Sequence, residues 1–258
     1  MIKIAVNGAG GKMGRLLIGN IIRSNDMQLV AAIVANMDKV THFDSGNIPI
    51  TDTKNADTML EKLKPDVLID FTNASCAVEI IKACAHNGLN IVVGTTGFTE
   101  EQQREIEHTI KKSNIAAVIS PNFSIGVNVF WVLIAEAAKR FEDYDIEIIE
   151  THHNQKKDAP SGTAMKAAKI ISDTLGGKDF VYGRHGLLPR QNEIGIHAIR
   201  GGDIIGDHLV LFAGDGERLE IKHQAHSRQA FASGALLAAR WVMNAPGGIY
   251  SMEDVLGI

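Results

Sequence analysis

Two histidines, two lysines and a Pro-Ser-Gly-Thr run fall within Asp145 to Thr163, DIEIIETHHNQKKDAPSGT, the part of the chain richest in groups that move protons or balance charge. An imidazole titrates near neutrality, so His152 or His153 could give or take a proton. Lys156 and Lys157 are ammonium groups able to offset negative charge. Pro160 and Ser161 mark a helix start, where backbone N–H groups lack intrahelical partners and partial positive charge accumulates. Ser161, Gly162 and Thr163 could therefore hold a carboxylate or phosphate without a charged side chain, and Gly162 would let the anion come close. The chemistry implied is anion binding coupled to proton donation. The plainer alternative is a solvated HH–KK loop followed by an ordinary helix cap.

These groups need a strand and a helix to position them. Ile146, Ile148 and Ile149 belong to an isoleucine-rich, alternating run that predicts a strand running into Thr151, His152 and His153, and adjacent strand residues point to opposite faces, so His152 and His153 should diverge while the strand stays regular. The run AMKAAKIISDTL after Thr163 predicts the helix.

A second chemical feature opens the chain. Ile2 to Asn7 predicts a buried strand, and Gly8-Ala9-Gly10-Gly11-Lys12-Met13-Gly14 turns into the helix RLLIGNIIRS. Strand, glycine turn and helix in that order form the phosphate-binding start of a dinucleotide fold, although the spacing here is G-x-x-G-x-x-G and Met13 stands where the strict pattern has glycine. Further strands are predicted at Gln28 to Val34, Asp66 to Phe71, Ile91 to Val93 and Ile115 to Ile119. Ligands in open α/β sheets lie beyond the carboxyl ends of strands, which puts Phe71-Thr72, Gly94-Thr95-Thr96 and Ser120-Pro121-Asn122-Phe123 beside the cofactor with Gly8 to Met13. Thr99 to Gln102 reads as a capping box. The second strand ends Val34-Ala35-Asn36-Met37-Asp38-Lys39, with no carboxylate at its tip to read ribose hydroxyls. NADPH or NADH could serve, with a lean toward NADPH because nothing there repels a 2′-phosphate.

After the helix VNVFWVLIAEAAKRF come the reacting stretch and its helix, then a polar loop over Gly176 to Glu193. Strands follow at Ile194 to Arg200, His208 to Ala213 and Arg218 to His223, with Gly201-Gly202-Asp203 and Gly214-Asp215-Gly216 between them favouring antiparallel pairing. Alternating strand and helix followed by a run of strands implies an α/β chain: a Rossmann-like doubly wound parallel sheet, then an α+β domain. The expected division is 1–124 with 230–258 for the dinucleotide-binding domain, completed by a helix from Phe231 to Met243, and 125–229 for the substrate-binding domain.

The 258 residues carry 26 Lys plus Arg against 30 Asp plus Glu, a net charge of −4, so no nucleic-acid partner and no membrane surface is implied and any anion must be drawn locally. The chain enters a strand pattern at once, without a charged-then-apolar leader, and no apolar run approaches the ~20 residues of a membrane span, which points to the cytoplasm. Cys76 and Cys84 lie in one predicted helix and read as core thiols. His223 and His226 lack the companions a metal site requires, so none is expected.

The motifs GAGGKMG at Gly8 to Gly14, DFT at Asp70 to Thr72, GTTGF at Gly94 to Phe98, PNFSIGVN at Pro121 to Asn128, and E-T-HH-x-x-K-x-DAPSGTA ending at Ala164 make the chain resemble the 4-hydroxy-tetrahydrodipicolinate reductase (dihydrodipicolinate reductase) family nearly end to end. The resemblance implies hydride transfer from NADH or NADPH to a cyclic dicarboxylate, in lysine biosynthesis through diaminopimelate. It also implies a homotetramer assembled through the C-terminal domain. Carried over by position, it makes His152 the acid/base, Lys156 the proton donor, and His153, Gly162 and Thr163 ligands of the substrate carboxylates. Val34 departs from the acidic residue common in the family, as does Ser120-Pro121 from its usual pair. Two other readings are a different two-domain dehydrogenase, such as an aspartate dehydrogenase, and an NADPH-binding regulator without turnover.

Overall fold

The computed structural model describes residues 1–35, 37 and 48–258, so Asn36, Asp38 and Lys39 beyond the second strand lie outside the described residues. The chain divides into two compact units, one of Met1–Ser124 with Gln229–Gly257 and the other of Ile125–Arg228 with Ile258.

The first unit is a seven-stranded parallel sheet. Its strands are β1 (Ile2–Asn7), β2 (Met27–Val34), β3 (Ile50–Asp52), β4 (Val67–Asp70), β5 (Asn90–Val93), β6 (Ala116–Ile119) and β12 (Gly248–Tyr250), in the order β12-β6-β5-β4-β1-β2-β3. Both faces are covered, which is why the central strands β4, β5 and β6 are mostly apolar. On one face Ile4, Val6, Ile69 and Val92 pack with α1 (Lys12–Arg23) and α7 (Gln229–Trp241). On the other, Ala5, Leu68, Ile91 and Ala117 pack with α2 (Ala56–Leu63), α3 (Ala74–His86) and α4 (Glu100–Ser113). The capping box forms as expected, Thr99 accepting from the Gln102 amide and Gln102 from the Thr99 amide. Cys84 is a core thiol whose pKa is pushed up by burial, but Cys76 is only half-buried, its sulfur set beside the Asn7 amide and the Thr53 hydroxyl.

The second unit is a five-stranded mixed sheet. It contains β7 (Asp145–His152), β8 (Asp179–Tyr182), β9 (Glu193–Arg200), β10 (Gly206–Gly214) and β11 (Glu217–Ala225), in the order β11-β10-β7-β9-β8. Helices α5 (Ile125–Ala138) and α6 (Gly162–Thr174) cover one face, where Phe130, Trp131, Ala168 and Ile171 meet Ile146, Ile148, Ile196, Val210 and Phe212. Two sequence expectations are corrected here. Residues 179–182, read as loop, form β8, parallel to β9. Gly201-Gly202-Asp203 closes no hairpin: β9 runs parallel to β7, and β10 runs antiparallel to the other side of β7. The turn binds the end of β7 instead, Gly201 donating its N–H to the His152 carbonyl at 2.9 Å and Asn154 donating to Gly202 at 3.1 Å. Gly214-Asp215-Gly216 does join the antiparallel pair β10–β11.

Candidate active site

The alternation along β7 places Ile146, Ile148, Glu150 and His152 on its buried face. A carboxylate in that register must find donors, because burying an unpaired charge is costly. Glu150 is 0 % exposed and finds four. His152 Nδ1 lies 2.6 Å from Oε2, the Ser161 amide donates to Oε1 at 2.9 Å, and Arg200 donates one N–H to each oxygen at 2.8 Å. Burial alone would raise the carboxyl pKa, but the His152, Arg200 and Ser161 bonds outweigh it and hold Glu150 at about 2. The pair with Glu150 raises Arg200 in turn. Ionised Glu150 accepts from Nδ1–H, which fixes the His152 ring and leaves Nε2, lying beside Gly206, as the nitrogen not bound to Glu150.

Ser161 caps α6, its Oγ accepting from the Ala164 amide at 3.2 Å. The same hydroxyl lies 3.1 Å from His208 Nε2 and shares a hydrogen bond with it, and burial, with the neighbouring His152, lowers His208 to about 3, so His208 is neutral. The ring of His208 meets that of His152 edge-on, at 5.2 Å between centroids. The hydroxyl and the amide of Ser161 are thus both engaged inside the fold. Gly162 is exposed, with nothing within 4 Å of where a Cβ would stand, and no acidic residue occupies the first turn of α6. An anion is therefore better offered the Gly162–Thr163 end of the turn than the Ser161 side chain.

His153, just past the strand, is half-buried. Lys156 holds both oxygens of Asp158 at 2.9 Å and keeps that carboxyl below its usual range. Asp158 is largely exposed, and such pairs contribute only ~0–1 kcal/mol, so Lys156 can leave it for a stronger partner. Arg200 also donates to the Asp158 carbonyl at 2.7 Å, tying the lysine-bearing loop to the buried carboxylate.

In the first unit the parallel sheet brings Gly8 to Met13, Phe71-Thr72, Gly94 to Thr96 and Ser120 to Phe123 to one edge, at the carboxyl ends of β1, β4, β5 and β6. Gly8 has φ +79°, and a Cβ on Gly14 would collide with the Gly8 carbonyl, so both positions demand glycine. Gly94 lies against the Phe71 ring, which sits 5.6 Å from that of Phe123. Helix α1 has Gly11 as its N-cap with no side-chain cap and no acidic residue in its first turn. Gly10 and Gly11 are exposed. A pyrophosphate fits such a helix start, so these residues suit a dinucleotide. Val34, at the β2 tip, is buried.

The family models for dihydrodipicolinate reductase match residues 2–123 (N-terminus) and 126–256 (C-terminus). The chain belongs to the dihydrodipicolinate reductase family. Among curated relatives named 4-hydroxy-tetrahydrodipicolinate reductase, one from Methanococcoides burtonii is 56 % identical and one from Methanocaldococcus jannaschii 51 % identical. All of this chain is covered in both, with 100 % and 98 % of the relatives. The solved dipicolinate-bound dihydrodipicolinate reductase from Paenisporosarcina sp. TG-14 has a TM-score of 0.82 at 31 % identity, over 98 % of this chain and 99 % of that one. An amine dehydrogenase from Mycobacterium smegmatis, at 15 % identity and TM-score 0.62 over 98 % and 95 % of the two chains, shares the fold alone. Members of the family are NAD(P)H-dependent oxidoreductases.

Sequence reasoning gave no role to Glu150, Arg200 or His208. Glu150 carries one local signal, a charge in the apolar register of an alternating strand. Arg200 and His208 lie 50 and 47 residues from their partners and carry none.

Proposed function

We propose that the chain reduces 4-hydroxy-tetrahydrodipicolinate to tetrahydrodipicolinate and water with a nicotinamide nucleotide, in lysine biosynthesis through diaminopimelate. The observation that carries this is full-length identity of 56 % to a relative of that name. A nicotinamide nucleotide, when bound, supplies the hydride. Gly8, Ala9, Gly10, Gly11, Lys12 and Met13 would hold its pyrophosphate at the start of α1, with Phe71-Thr72, Gly94 to Thr96 and Ser120 to Phe123 bordering the rest. The exposed Gly162 and the Thr163 end of α6, with His153, would take the substrate carboxylates, each charge-assisted bond contributing about 1.5–3 kcal/mol. Ser161 would organise that helix start through its bonds to Ala164, His208 and Glu150.

Hydride arriving on a conjugated ring builds negative charge that must be protonated, and a positioned acid is worth roughly 10² to 10⁴ in rate. Lys156 would give that proton after leaving Asp158. His152 would serve as acid/base through Nε2, its ring held by Glu150. Among the described residues at the β2 tip, Val34 and Ala35, there is no carboxylate, which supports use of both nucleotides with a preference for NADPH; a Michaelis constant for NADH far below that for NADPH would overturn it. The assay is the fall of NADPH absorbance with freshly made condensation product of pyruvate and aspartate semialdehyde. An absence of consumption would sink the assignment and favour a nucleotide-binding protein without turnover.

A further inference from the structure

Asp70 ends β4 and is 0 % exposed, yet nothing so far gives its carboxylate a task. Its partners come from three strand ends. Asn7, the last residue of β1, donates Nδ2–H to Oδ1 at 2.7 Å, and the Thr72 hydroxyl, beyond β4, donates to the same oxygen at 2.8 Å. The Thr95 hydroxyl, beyond β5, lies 2.6 Å from Oδ2 and also accepts the Thr72 amide at 2.8 Å, so its own proton must go to Asp70. Backbone bonds run along the same row: Phe71 donates to the Asn7 carbonyl at 3.3 Å, and Gly94 donates to that of Asp70 at 2.9 Å. Asn7 leads directly into Gly8, Asp70 into Phe71-Thr72, and Val93 into Gly94-Thr95. One buried carboxylate is thus the common acceptor at the roots of three of the four loops assigned to the cofactor.

A neutral core side chain would keep these strands paired, since the sheet ladder does not use the carboxylate. Only an acceptor with two oxygens can take donors from three directions, and a buried charged group left short of donors is costly. The arrangement is therefore better suited to fixing loop geometry than to adding stability.

We propose that Asp70 is a positioning residue for the nicotinamide nucleotide, locking the loops after β1, β4 and β5 into the arrangement that binds it. This rests on the nicotinamide-nucleotide reading above. Asp70→Asn replaces one acceptor oxygen with a donor facing other donors while keeping shape. Its dissociation constant for NADPH, measured by ligand fluorescence, should rise about tenfold. Turnover at saturating NADPH should stay within about threefold, and the Michaelis constant for the dicarboxylate should not move. A lesion that only loosens the fold would lower the melting temperature without that split. Asn7→Ala removes one donor and leaves the carboxylate in place; it should raise the same constant severalfold and keeps the test alive if Asp70→Asn does not fold. Wild-type NADPH affinity in either folded variant overturns the role of Asp70 alone. A wild-type protein that binds neither NADPH nor NADH overturns it together with the cofactor reading.

Discussion

Glu150 does at the scale of one residue what the spacing of His152 and Lys156 could not announce: it takes up one imidazole nitrogen of His152, and the proposed acid/base role falls to the other. His152→Ala and Lys156→Ala should each lower turnover at least tenfold with NADPH affinity intact. Wild-type turnover in either would show that the residue's role is wrong. The same cluster fixes the response to acid. Glu150 is depressed to about 2 from an ordinary 4.5, so its stabilisation is complete above pH 4.5 and is lost as the pH falls toward 2. His208 is depressed to about 3 from 6.5, so the folded state resists its protonation and stability falls as the pH drops from 6.5 toward 3. Both signs agree, and acid sensitivity should begin near pH 6.5. His208→Gln keeps a hydrogen-bonding partner for the Ser161 hydroxyl but cannot titrate. Between pH 6 and 4.5 its urea-derived unfolding free energy should fall less steeply than that of wild type, by up to about 1.4 kcal/mol per pH unit. Parallel slopes would contradict the assignment of His208.

At the scale of elements, legibility followed burial. Strands covered on both faces, such as β4 and β6, are apolar almost throughout, and the Gly8 to Gly14 turn declares itself because only glycine meets its close approaches. Strand β8 was illegible because its four residues, DFVY, are nowhere buried and carry no alternation. The place of β7 between β9 and β10 was illegible for another reason: a Gly-Gly-Asp turn has the chemistry of a hairpin whether or not a third strand intervenes. The site divides similarly. The glycine turn and helix start are local patterns, whereas the partners of Glu150 and Asp70 are assembled by the sheets. A Cβ at residue 14 would force the α1 start away from the Gly8 carbonyl, so Gly14→Ala should cost about 1–3 kcal/mol in denaturant unfolding and weaken NADPH binding as well. Unchanged stability would mean that the turn relaxes freely.

At the scale of the molecule, each unit has its own core, and the C-terminal segment belongs to the first. With a chain of 27.9 kDa, the homotetramer that the family resemblance implies should scatter light as a particle of about four times that mass, and a monomer mass at micromolar concentration would end that expectation. The return of the chain also sets an order of events. Ala232, Ala235 and Leu236 of α7 pack with Ile4 and Leu17, and β12 supplies the edge strand beside β6. On a ribosome these residues emerge more than a hundred positions after Ser124, once all of the second unit has been made. Until then the first sheet lacks its β12 edge and has α1 alone on the face that α7 will share. The ribosome thus delivers the whole of Ile125–Arg228 before the last helix and the edge strand that complete the first unit.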